Sequence, residues 1–73
     1  MSATAHHSTT HRVRFVRRVV NQTTYDVAMT QGLDVELPLE FMCECGRPEC
    51  TEQIVLLLRQ FDRSAPVGSI VAH

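Results

Sequence analysis

All three cysteines of this chain, Cys43, Cys45 and Cys50, fall within eight residues, in the order C-x-C-G-x-x-x-C. In an extended chain, residues two apart point to the same side, so Cys43 and Cys45 can aim both sulfurs at one point while Glu44 is aimed away. Gly46 lets the backbone turn tightly after the second thiol, and Pro48 stiffens the loop that returns Cys50. The pattern reads as a half-cage for an ion that binds thiolates. Zinc favours tetrahedral sulfur and nitrogen ligands, and a closed structural site needs a fourth. The candidates are His6, His7, His11 and His73. His73 is preferred because it follows the apolar pair Ile70-Val71, whereas the other three lie in or beside a polar tail. An iron–sulfur cluster is the lesser alternative, since three cysteines and one histidine suit it too. Its C-x-C…C-D-G-x-H signature fails, because Cys50 is followed by Thr51-Glu52-Gln53. Two plainer readings are thiols packed as small apolar side chains and a disulfide between two of the three.

A chain of 73 residues is where such a clamp matters, because short chains bury a modest core and often need a metal, a disulfide or a partner. Residues 1–11 are small and polar with nothing to bury, and read as a disordered tail. Residues 12–73 remain for one metal-stabilised domain. No apolar run of seven or more follows a basic start, so no leader is expected. The longest apolar run, Ile54 to Leu58, falls far short of the roughly 20 residues a membrane span needs. The expected location is the cytoplasm, where clustered cysteines are more often ligands or catalytic thiols than disulfides.

The predicted fold class is a small α+β domain. It comprises an N-terminal helix, a zinc-knuckle β-hairpin, a short second helix and a short C-terminal extended segment. Val13, Val16, Val19, Val20, Thr23 and Val27 recur at steps of three and four, which predicts an amphipathic helix over residues 12–31 with the valines inside. Thr10 is placed to cap it and Gly32 to end it. From Leu33 to Phe41 the period changes to two, predicting an extended segment with one buried face. Pro38 restricts any strand there to an edge or to a later start. Residues 39–45 and 51–56 are predicted to pair around the turn at Gly46 to Glu49. Leu57 to Ser64 follow as a short helix carrying Leu58 and Phe61 inward, and Ser69 to Ala72 as a brief extended piece.

Pro38 to Phe61, PLEFMCECGRPECTEQIVLLLRQF, resembles the core of a family of small actinobacterial proteins, mostly labelled uncharacterised and zinc-ribbon-like. Their pattern runs P-L-E-F-x-C-E-C-G-x-x-x-C-T-E-R-I-x-L-T-x-x-E-Y, followed by a segment ending in Pro-Gly-His. The likeness covers the C-E-C-G and C-T-E elements. It implies that Cys43, Cys45 and Cys50 are the family cysteines and that His73 takes the place of the family histidine. Here the stretch after Phe61 is shorter, Ala72 stands where Pro-Gly would precede the histidine, and Leu57 replaces a helix-capping threonine. The family brings no established activity.

Net charge is −1 and every basic residue is arginine. Arg12, Arg14, Arg17 and Arg18 precede any acid, and Arg14, Arg17 and Arg18 are predicted to share the helix face opposite the valines. The first functional reading is a zinc-binding interaction or regulatory module with a structural Cys3His site and a protein partner. The second is a nucleic-acid-binding or transcription-associated factor whose Arg14, Arg17 and Arg18 contact phosphates. The third is a thiol redox sensor or metal-handling protein. No phosphate-binding glycine loop, nucleophile elbow or serine with a base is present, so neither an enzyme nor a small-molecule substrate is expected.

Overall fold

The computed structural model describes the backbone of residues 2–72 and the side chains of residues 11–72. One helix, α1 (Ser2–Thr30), precedes an antiparallel hairpin of β1 (Pro38–Met42) and β2 (Gln53–Leu57), and a single 3-10 turn at Leu58–Gln60 follows. The register runs from Pro38 opposite Leu57 to Met42 opposite Gln53. The α+β class is as the sequence predicts, although the helix is assigned from Ser2, so Thr10 does not mark its start.

Gly32 does end the helix. At φ +71° it takes the left-handed conformation that side chains disfavour. Its N–H donates to the Met29 carbonyl at 3.1 Å and the Leu33 N–H to Ala28 at 3.0 Å. This pair of bonds is the Schellman arrangement, which satisfies carbonyls the helix would otherwise leave open. The chain then turns instead of extending. The Asp34 carboxylate accepts the Glu36 N–H at 2.9 Å, and the Asp34 carbonyl accepts the Leu37 N–H at 2.9 Å. A local Asp turn therefore wins over the two-residue rhythm, and the strand starts at Pro38, the first-residue position where its missing donor costs nothing.

The core is thin. Its buried apolar residues are Ala28, Phe41, Cys43, Leu58 and Phe61. Phe61 stacks on Phe41 with centroids 4.8 Å apart and on Tyr25 at 5.1 Å, and the Arg18 guanidinium lies 4.9 Å above the Phe61 ring. Such contacts add to plain area burial. Leu58 and Phe61 enter the core as predicted, but on one 3-10 turn rather than a second helix. The strand continues to Leu57, and the Asp62 carboxylate then captures the Ser64 N–H at 3.0 Å, so no length remains for a helix. Ser69 to Ala72 run beside the cysteine loop, the Glu44 N–H donating to Ile70 at 2.6 Å, without becoming a strand.

α1 shows the largest departure. Its inward face carries Arg17, Arg18, Asn21 and Ala28, all buried, while Val16, Val19, Val20 and Val27 are exposed. The reason lies in what faces the helix. Met42, Cys43 and Pro48 present carbonyls that no ladder satisfies, and buried acceptors must find donors. Arg17 donates to Cys43 at 3.3 Å and to Pro48 at 3.3 Å, and Asn21 donates to Met42 at 3.0 Å. Valine could supply none of these bonds. Among the described residues no helix is long and apolar enough to cross a membrane.

Candidate metal centre

The hairpin ends at Met42 and resumes at Gln53, so all three cysteines sit in the loop between the strands. One bond beyond the ladder, from the Cys43 N–H to Glu52 at 3.1 Å, pinches the base of that loop. Gly46 turns it at φ +88°, a conformation that an L side chain enters only at a cost. The Cys50 N–H closes on Arg47 at 3.0 Å, so Cys50 comes back toward the first two thiols.

The result is a cluster: the sulfurs of Cys43, Cys45 and Cys50 all lie within 4.8 Å of one another. Three thiolates on a tetrahedral zinc, with bonds of about 2.3 Å, stand about 3.8 Å apart. A contraction of about 1 Å or less therefore closes the cluster on an ion. That is within the reach of side-chain rotation. Cys43 is buried and the other two are half-buried.

The thiols are not equivalent. The Arg47 backbone N–H, with help from the Cys50 and Cys43 thiols and the Arg47 side chain, lowers the Cys45 pKa from an ordinary 9.0 to about 6. Cys45 is a ready thiolate at neutral pH. At Cys50 the Glu52 backbone N–H favours the thiolate, yet burial and the neighbouring Cys45 and Cys43 outweigh it and the pKa rises. This is how crowded thiols behave without a shared cation: one ionises and makes the next harder to ionise. A divalent ion reverses that order by stabilising every thiolate together.

Glu44, the residue between Cys43 and Cys45, points away from the sulfurs, as the alternation predicts. It points into the protein rather than into water, with no exposed surface. Its carboxylate accepts from Asn21 at 2.7 Å, from the Gly68 N–H at 2.9 Å and from Arg18 at 3.4 Å. The helix, the cysteine loop and the C-terminal segment are thus tied at one carboxylate. Asn21 also accepts the Met42 N–H at 2.8 Å. Residue patterns gave no cue to Asn21. The one available signal for Glu44 was its position, since an acid between two ligands is fixed in direction by them.

Arg14, Arg17 and Arg18 do not form one surface. Arg14 is exposed, whereas Arg17 and Arg18 are buried and hold the loop, so the expected arginine face is corrected to internal structure. Of the histidines, His11 is exposed at the start of the described side chains, while the side chains of His6 and His7, and all of His73, lie outside them. The chain's approach to residue 73 is described. The Ala72 N–H donates to the Cys43 sulfur at 3.3 Å, and Ala72 and Cys50 line one cleft of about 360 Å³ with Arg47 and Thr51. No family model, curated protein or solved structure matches this chain.

Proposed function

We propose that this protein is a small zinc-binding interaction or regulatory module in which Cys43, Cys45, Cys50 and His73 hold one structural ion. The convergence of three sulfurs within 4.8 Å carries the reading, and the donor set selects a thiolate-loving metal. Zinc in such a site supplies cross-linking rather than chemistry, fixing the long loop against the hairpin. The proposal for His73 is supported by the hydrogen bond from the Ala72 N–H to Cys43, which brings the preceding residue against the cluster. A protein partner follows from the module reading. The nucleic-acid alternative draws less support, because two of its three arginines are buried. A thiol redox sensor or metal-handling protein is the second reading, favoured by the loop geometry that sets the Arg47 backbone N–H on Cys45 and lowers its pKa from 9.0 to about 6.

The test is zinc stoichiometry with a structural readout. One zinc per chain is expected, and chelation or Cys45→Ser should abolish amide dispersion, because in small metal domains binding energy is folding energy. His73→Ala should weaken zinc clearly but less than any cysteine change. A dispersed spectrum from metal-free protein sinks the structural reading, and zinc affinity untouched by His73→Ala removes the fourth ligand.

A further inference from the structure

The valines that do not enter the core still follow a rule. Val13, Val16, Val20, Thr23 and Val27 alternate at steps of three and four, the spacing of a coiled-coil seam. Val13 is half-buried, but Val16 is 55 % exposed, Val20 41 % and Val27 48 %. Beside them runs an apolar groove of about 510 Å³ lined by Val19, Val20, Thr23, Val27, Leu33 and Leu39. The stripe therefore continues off the helix onto the hairpin. Isolated apolar side chains on a surface need no explanation, but a continuous stripe of them does.

We infer that this face is where a second copy of the chain docks, helix against helix and antiparallel. An identical seam is the natural complement of a heptad seam, because each knob meets a hole of the same period, and a two-fold contact closes on itself. Charge sets the direction. A parallel pair would set Arg12 beside the Arg17 position of the second copy, whose guanidinium is turned inward onto the Cys43 and Pro48 carbonyls, so no attraction forms there. In an antiparallel pair with Val16 opposite Val20 of the second copy, Arg12 comes beside Asp26 instead, once at each end by symmetry. Asp26 already accepts Arg63 at 2.8 and 3.0 Å, and a carboxylate has acceptor sites for a second guanidinium. Residues 13–27 give a seam about 20 Å long, and Leu33 and Leu39 widen it toward the roughly 800 Å² per partner of a standard interface.

Sedimentation equilibrium of the full chain as purified, at up to about 100 μM, tests this. The expected mass is twice 8.3 kDa. Val20→Glu, and separately Val16→Glu, should weaken the dimer at least tenfold while circular dichroism and metal content stay unchanged, since both side chains are exposed in the single chain. Arg12→Glu should raise the Kd about tenfold by turning two attractions into repulsions. A monomer throughout the range overturns the proposal, as does a dimer indifferent to both valine changes. Tighter association on Arg12→Glu overturns the antiparallel arrangement. None of these outcomes depends on which ion the cysteines hold.

Discussion

Replacing Glu44 with glutamine keeps the size and shape of the side chain and removes one charge, which makes it the sharpest probe of how the loop is held. The carboxylate receives three donors: Gly68 on Oε1 at 2.9 Å, and Asn21 and Arg18 on Oε2 at 2.7 and 3.4 Å. An amide has one acceptor oxygen, so in either orientation its NH2 faces at least one of those donors. A buried donor left unsatisfied costs about 1–3 kcal/mol. Arg18, only 2 % exposed, also loses its counter-charge, and breaking a buried pair from one side costs about 3–5 kcal/mol. The two contributions overlap, and about 3–5 kcal/mol is the expected total. A chain this size has roughly 4–11 kcal/mol to lose. Urea denaturation at one fixed zinc excess should therefore show the midpoint falling by about 3–5 M, at a slope near 1 kcal/mol/M. Arg18→Met in the same background should be non-additive with Glu44→Gln by about 1–3 kcal/mol. A loss below about 1 kcal/mol at unchanged slope would refute the view that this carboxylate ties helix to loop.

Under the thiol redox reading, in which the loop keeps its shape without metal, iodoacetamide at pH 7 should modify Cys45 well before Cys50, because the pKa of Cys45 is lowered to about 6 and that of Cys50 is raised. Mass mapping of the first alkylated peptide checks this, and Cys50 reacting first contradicts it. Under that same reading, the Cys45 contribution to a metal-free fold is complete above its ordinary 9.0 and is lost as pH falls through about 6. Gly46→Ala forces a side chain onto φ +88° and should lower the thermal midpoint of the loaded protein by a cost of about 1–2 kcal/mol. Gly32→Ala, with nothing within 4 Å of the added carbon, should carry the same conformational cost at φ +71°, read from the same thermal midpoint.

The cysteine loop was legible because its signal is local: the spacing of three thiols with a glycine and a proline between them already points the sulfurs toward one another. Gly32 was legible for the same reason, since the left-handed position belongs to the residue and not to its neighbours. The helix was found but its inward face was reversed. Periodicity identifies an apolar stripe and assumes that it faces the core. Here the helix packs against carbonyls of Met42, Cys43 and Pro48, and the side chains that enter are donors, Arg17 and Asn21. Those carbonyls are open because Cys43 and Pro48 lie in a loop and Met42 ends an edge strand, and no helix pattern carries that information. Leu33 to Leu37 misled in a similar way, their alternation interrupted by one Asp34 turn. The valine seam, read as core, is instead the feature that calls for a second copy.

X-ray absorption at the zinc edge of the loaded protein tests the central claim most directly. Given sulfurs that already lie within 4.8 Å of one another, the account predicts one zinc per chain with three sulfur neighbours at about 2.3 Å and one nitrogen neighbour at about 2.0–2.1 Å. Fewer than three sulfurs, an all-oxygen and nitrogen shell, or a chain that folds fully and takes up no stoichiometric metal would contradict it.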